Sequence, residues 1–279
     1  MNVFDTLNGW QQASSKRFEL NQIPLILHRM NEGALPRQTL VEVIKIRYQV
    51  AHFFEDMLEH MLRIIRARRF WRKDGLIWPD VATAFEHAVA ENLKDERGEV
   101  AEYGGPHREG RSVFLTALGV DYRAWATPLG SYGSLGSLDE FSSYVITQLQ
   151  HIIEYGAVEA LGILWCYERA ISRDGRCGDY CIMLRAFERA FPEFAKVEYH
   201  EGDALWHIAS HAQHDSEHAR LAAEALAALD DKPGLWPESM QLGIKTAYLT
   251  NLNFWNGLSE RFCGAFDSRA HWRHPDRVL

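Results

Sequence analysis

The residues best suited to chemistry lie in one short segment, His207–His218, where histidines recur around an aspartate. His211, Asp215 and His218 have the spacing i, i+4, i+7, which places them on one face of an α-helix. Two imidazoles and a carboxylate that converge in this way can bind one or two ions of iron, manganese or zinc. His207 and His214 lie on nearly the same face. The segment therefore predicts a metal site on a helix.

Carboxylates in two other segments are candidates to complete this site. Glu91, Asp95 and Glu96 lie near the end of a predicted helix, and His107 follows them after a Gly-rich loop. Glu168 interrupts a strongly apolar helix, where a buried carboxylate needs a partner. A solvated carboxylate cluster, or an ion pair between Glu168 and a nearby arginine, is the alternative interpretation.

The elements that must position these residues have the pattern of successive helices. Apolar residues recur at helical spacing from Arg37 to Phe70. Further helices are predicted at Asp80–Arg97, His107–Leu118, Ser137–Ser172, Tyr180–Phe191, Glu201–Asp230 and Pro237–Phe262. Ser137 and Glu140 form a capping box at the start of the longest of these apolar helices. No strand-like alternation or hairpin signal is present. The prediction is one all-α helical bundle over residues 1–279, with the metal-site segments within about residues 80–228.

Composition limits the classes of function. The chain has 279 residues, 47% of them hydrophobic, and a net charge of -8. No basic block favours nucleic acid or an anionic membrane, and no apolar run is long enough for a membrane span. The polar stretch Met1–Trp10 lacks the apolar region of a signal peptide, and the four cysteines form no CxxC pair. We therefore expect a cytoplasmic protein with reduced thiols and a small-molecule substrate.

These motifs together resemble those of the heme-oxygenase-like diiron oxidases and oxygenases. This helical group is related in fold to heme oxygenase and thiaminase II. The family pattern is a glutamate, a histidine, a glutamate in a central apolar helix, and then His-x3-Asp-x2-His. Here the pattern is matched by Glu96, His107, Glu168 and the segment His211–His218.

The resemblance implies a heme-oxygenase-like bundle with two ferrous ions as cofactors and dioxygen as co-substrate. The implied metal ligands are Glu96, His107, Glu168, His211, Asp215 and His218, with Glu91 as an alternative to Glu96. The implied reaction is N-oxygenation or oxidative C–C cleavage of a small amino-acid-like amine or carboxylate, in specialised metabolism. A ferritin-like site is not favoured, because the chain contains no Glu-x-x-His.

Two other functions stay open at this stage. The bundle could be a small-molecule-binding protein whose histidines are merely buried and hydrogen-bonded. It could also be a metal-free hydrolase like thiaminase II (TenA), in which Cys166 would be the nucleophile. The substrate-binding arginine is not determined among Arg47, Arg169, Arg173 and Arg185. A homodimer is the expected assembly for a cytoplasmic enzyme.

Overall fold

The structure, a computed structural model, describes residues 2–7, 9, 24–67, 78–100, 105–121, 138–172, 179–234 and 236–264, without the side chains of residues 169–172 and 213–217. All regular elements within these ranges are helical, so the predicted all-α fold class is confirmed. No helix in the described part of the chain is long and apolar enough to cross a bilayer.

The helices follow one another along the described part of the chain. They are α1 (Leu25–Glu32), α2 (Arg37–Arg66), α3 (Pro79–Glu96), α4 (His107–Ala117), α5 (Glu140–Ile153), α6 (Ala157–Ser172), α7 (Asp179–Ala190), α8 (Trp206–Ala227) and α9 (Trp236–Cys263). Most described connections between the helices are short, and a longer one, residues 191–205, joins α7 to α8. A 3₁₀ turn, Pro192–Phe194, follows α7. The sequence did not predict α1, which buries Ile26, Leu27 and Met30.

Helix α6 is the centre of the bundle. Every residue from 157 to 168 is buried, including the carboxylate-bearing Glu168. Helices α8 and α9 pack extensively on α6, and α3 packs between α2 and α8. Because apolar burial is the main force that assembles such helices, polar residues facing α6 are enclosed by the bundle. This arrangement places the candidate site residue Glu168 in the interior of the bundle.

The predicted single helix from Ser137 to Ser172 is wrong, because the structure divides it into α5 and α6. The N–H groups of Glu154 and Tyr155 close α5 on the carbonyls of Gln150 and Ile152. Gly156 then separates the two helices, as expected for a residue of low helix propensity. The N-cap of α5 is also different from the prediction. Asp139 accepts a hydrogen bond from the N–H of Phe141 at 3.0 Å, whereas Ser137 lies outside the described residues.

Helix α8, which carries most of the histidines, begins later than predicted. Residues 201–205 form turns, so that the first helical residue is Trp206 rather than Glu201. The helix still contains the whole of His207–His218. The predicted histidines therefore lie on one uninterrupted helix.

Candidate metal centre

The turn after α3 brings two of the predicted ligands together. Gly98 has a φ of +68°, and its N–H donates to the carbonyl of Asp95 at 2.8 Å. A Cβ at Gly98 would overlap Pro106, so only glycine lets the returning chain lie against this helix end. Pro106 directly precedes His107, the first residue of α4. As a result, Nδ1 of His107 lies 3.0 Å from Oε1 of Glu96.

Asp95 lies in the middle of the buried cluster, although the sequence-based ligand set omits it. Its Oδ2 lies 3.5 Å from Nε2 of His107 and 3.4 Å from Nε2 of His218. On the other side of His218, Nδ1 lies 3.6 Å from Oε2 of Glu168. None of these four residues is more than 5% exposed. Each of four helices, α3, α4, α6 and α8, therefore contributes a polar side chain to this cluster in the core.

His211 joins the cluster through its ring contacts. Its ring centroid lies 4.6 Å from that of His107 and 4.6 Å from that of His207. One nitrogen from each of these three histidines lies within 4.8 Å of the others, which is a spacing that could hold a metal ion. Tyr180 of α7 stacks on His211 with centroids 4.5 Å apart. The aromatic ring closes this side of the cluster.

The tautomer of His207 follows from its two partners. The guanidinium of Arg111 can only donate, so Nε2 of His207, 3.3 Å from Nη1, is the acceptor. The proton of His207 then resides on Nδ1, which donates to the hydroxyl of Tyr48 at 3.0 Å. Both ring nitrogens of His207 therefore lie within hydrogen-bond distance of protein groups. Arg111 also lies 3.4 Å from Oε2 of Glu96, which links His207 to the carboxylate cluster.

Arg111 is a site residue that the sequence reasoning missed. It follows His107 by four residues, so the two side chains share one face of α4. Gly110 allows α4 to approach α8, because a Cβ there would lie 2.9 Å from Cβ of His207. The i, i+4 spacing from a candidate ligand was the available signal. That spacing alone does not distinguish a buried arginine from one at the surface.

Burial and neighbouring charges set the protonation states in the cluster. Burial opposes ionisation of Glu96, but His107 and Arg111 outweigh it and lower the pKa of that carboxyl. Burial likewise opposes a charge on His107, and Glu96 outweighs burial and raises the His107 pKa. Burial, followed by the charge of His107, lowers the pKa of His211 to about 3. Burial and His211 hold the pKa of His207 well below its ordinary value. Neutral imidazoles retain the lone pair that a metal ion requires.

The spacing and charge of the cluster fit divalent cations. Two ligand atoms that each lie about 2.1 Å from one ion are roughly 3 Å apart. The contacts between carboxylate and imidazole here are 3.0 to 3.6 Å long. Nε2 of His107 is buried without a hydrogen-bond partner among the described residues. The cluster contains three carboxylates, Asp95, Glu96 and Glu168, and the guanidinium of Arg111 pairs with one of them, Glu96, so a cation would offset the remaining negative charge.

Most of the sequence-predicted ligands meet in this cluster. It contains Glu96, His107, Glu168, His211 and His218. The backbone of Asp215 belongs to α8, but its side chain lies outside the described residues. Glu91, the alternative to Glu96, is 30% exposed at its side chain and pairs with Lys94 at 2.7 Å. The geometry therefore favours Glu96 over Glu91.

A small pocket adjoins the cluster and shares residues with it. Its lining comprises Arg47, Val50, Ala51, Phe54, Glu96, Arg111, Tyr167, Glu168, Tyr180 and His211. Of the arginines left open by the sequence, Arg47 lines the pocket, whereas Arg185 donates to Asn31 at the surface over 3.0 Å. The side chains of Arg169 and Arg173 lie outside the described residues.

Comparison with known proteins provides no independent identification. No family model matches the chain, and no curated protein shows significant similarity to it. The all-α fold and the buried cluster of histidines and carboxylates are therefore the observations that bear on the class of protein.

Proposed function

We propose that the protein is a non-haem iron enzyme of the heme-oxygenase-like diiron class, which uses dioxygen to oxidise a small substrate. The observation that carries the proposal is a buried chain of alternating carboxylates and imidazoles. It runs from Glu96 through His107, Asp95 and His218 to Glu168. Oxygen and imidazole ligands without thiolates suit iron and manganese. A small pocket lined by Glu96, Glu168 and His211 adjoins these ligands.

The residues of the chain have distinct roles in this proposal. Bound ferrous iron would supply electrons to dioxygen. Asp95 faces two imidazoles through one oxygen, so its carboxylate would hold the metal together with His107 and His218. Arg111, 3.4 Å from Oε2 of Glu96, orients that carboxylate and limits its charge. The ring of Tyr180 and the depth of the cluster keep bulk water away from the reacting groups.

A metal-free binding protein is the second candidate, and one observation favours it. Arg111 already lies within hydrogen-bond distance of both Glu96 and His207, so part of the cluster is satisfied without any cation. In such a protein the pocket would bind its ligand without oxidising it. A measurement of iron uptake distinguishes the iron enzyme from the metal-free binding protein.

The hydrolase alternative depends on Cys166, and its surroundings do not favour it. Burial raises the pKa of this thiol to about 12, so the thiol is protonated at neutral pH. A protonated thiol is a poor nucleophile. Cys166 also does not belong to the described lining of the pocket.

The decisive experiment is an anaerobic ferrous titration of the metal-free protein, followed by mixing with oxygen in a stopped-flow spectrometer. We expect uptake of about two ferrous ions per chain, as in other two-metal sites. Mixing with oxygen should then produce a transient visible absorption. The same protein loaded with zinc is the matched control, because zinc has no redox chemistry and should give no transient. Absence of iron uptake would refute the proposal and leave the binding protein.

A further inference from the structure

His207 is a buried histidine of the cluster that the implied ligand set leaves out. It lies one helical turn before His211 on α8 and is 0% exposed. Together with His107, these two residues place one nitrogen each within 4.8 Å of the others, which is close enough to hold a single ion. Three histidines are the ligand set of some zinc sites, in which the fourth position stays open. The trio therefore has the composition of a zinc site beside carboxylates that suit iron.

Only one nitrogen of His207 is available to a metal ion. Nδ1 carries the proton and donates to the hydroxyl of Tyr48 at 3.0 Å, so the lone pair of the ring is on Nε2. A histidine that binds a metal commonly donates its other ring N–H in this way, and the hydrogen bond fixes the direction of the ring. His207 is therefore oriented as a metal ligand would be, with Nε2 as the coordinating atom.

The guanidinium of Arg111 occupies the lone pair of that nitrogen. Its Nη1 lies 3.3 Å from Nε2 of His207 and 3.4 Å from Oε2 of Glu96. An arginine in a protein is always charged and can only donate, so a metal ion and this guanidinium cannot both use the lone pair. While Arg111 stays in place, the trio of histidines provides at most two metal ligands.

We propose that Arg111 closes a three-histidine zinc position, formed by His107, His207 and His211, and so keeps zinc from competing for the ligands of the iron site. His107 and His211 belong to both positions, so zinc bound to the trio would take two ligands away from iron. Selectivity between divalent metals depends on geometry and ligand type more than on raw affinity, and three imidazoles suit zinc. The inference rests on the proposed function for the role of iron, but not for the closed zinc position itself.

The contacts of Arg111 are weak for a buried arginine that serves stability alone. Its side chain is 1% exposed, yet within the described part of the chain its Nε has no hydrogen-bond partner. Its contacts with His207 and Glu96, at 3.3 and 3.4 Å, are longer than the roughly 2.7–2.9 Å that is usual for a charged pair. Desolvation opposes a buried pair of this kind, so the pair contributes little to stability. Its geometry is that expected of a group whose role is to occupy the lone pair of His207.

Zinc affinity, measured on the metal-free protein by competition with a chromophoric chelator, tests the inference in a double-mutant cycle. We expect Arg111→Met to raise the affinity for zinc at least about tenfold, because the trio gains its third ligand. Adding His207→Gln to Arg111→Met should abolish this gain. In the wild-type background, His207→Gln alone should leave the zinc affinity unchanged. Arg111→Lys should bind zinc like the wild type, because its ammonium group also donates to Nε2 of His207.

Arg108→Met is the matched control for the loss of charge. Arg108 is exposed on α4, three residues before Arg111, so its removal should change the zinc affinity little. Absence of a gain in Arg111→Met, or a gain that persists after His207→Gln, would overturn the inference, because His207 would then not be the ligand that Arg111 blocks.

A fall in the zinc affinity of the wild type on His207→Gln would also overturn the inference, since the position would already be open. That comparison needs no folded Arg111 variant. Far-UV circular dichroism checks the helicity of each variant. Ferrous uptake by the wild type, measured separately, decides the proposed function whatever the zinc cycle shows.

Discussion

Nε2 of His218, in the middle of α8, lies 3.4 Å from Oδ2 of Asp95, in the last turn of α3. The same oxygen also faces Nε2 of His107 at 3.5 Å. Asp95 is therefore the carboxylate that links His107 of α4 with His218 of α8. If the cluster binds iron, Asp95 should contribute at least as much to the affinity for iron as Glu96 does.

Asp95→Asn and Glu96→Gln test the carboxylates separately. Each change should lower the affinity for ferrous iron at least about tenfold, because a buried cation loses a negatively charged ligand or its oriented neighbour. Anaerobic titration measures the affinity, and far-UV circular dichroism should show unchanged helicity. Glu91→Gln is the matched control on the same helix, since Glu91 pairs with Lys94 instead. Normal iron binding by Asp95→Asn would remove Asp95 from the ligand set.

Two histidine variants separate the possible ligand sets. His207 and His218 are both buried on α8, but Arg111 and Tyr48 already engage the nitrogens of His207. We therefore expect His218→Gln to reduce the number of ferrous ions bound per chain and His207→Gln to leave that number unchanged. Stoichiometry in the anaerobic titration is the measurement. The opposite result would assign the metal to the site formed by His107, His207 and His211.

Alkylation of the native protein tests whether Cys166 is reactive. With its pKa raised to about 12 by burial, the Cys166 thiol should remain unmodified by iodoacetamide at pH 7.5. Cys181, which is partly exposed, serves as the internal comparison. Peptide mapping reports both sites. Cys166→Ser should likewise retain iron uptake and the oxygen response. Loss of both functions together with rapid alkylation would revive the hydrolase interpretation.

His52 should make the stability of the metal-free protein depend on pH. Burial, followed by the charges of Arg111 and Arg108, lowers its pKa from the ordinary 6.5 to about 4. The unfolded chain therefore takes up the proton first as the pH falls. Stability from this group is fully present above pH 6.5 and is lost progressively down to about pH 4. A single such proton changes the free energy of unfolding by at most about 1.4 kcal/mol per pH unit.

Urea unfolding between pH 5 and 7 measures this dependence. His52→Gln should show a shallower loss of stability with falling pH than the wild-type protein. His28→Gln is the control, because the His28 side chain is 55% exposed. Other buried histidines contribute equally to the wild type and the variant, so the difference in slope isolates His52. Identical slopes would show that His52 titrates alike in the folded and unfolded chains.

Much of the fold was predictable because it depends on local patterns. Apolar residues at helical spacing predicted α2, α3 and α8, and the glycine at position 98 ended α3 as expected. The division of one predicted helix into α5 and α6 was missed. A single glycine, Gly156, lowers helix propensity only modestly, so the packing of α6 in the core decides whether the chain turns there.

The sequence by itself determined which helices carry histidines and carboxylates, since the spacing of His211 and His218 already specifies a shared face. Tertiary structure alone decided that Asp95 joins the cluster, that Glu91 stays at the surface, and that Arg111 lies between Glu96 and His207. The reason is physical. Neighbouring residues on one helix differ by about 100° in direction, and which direction points inward depends on the helices packed against it. Local sequence does not contain that choice.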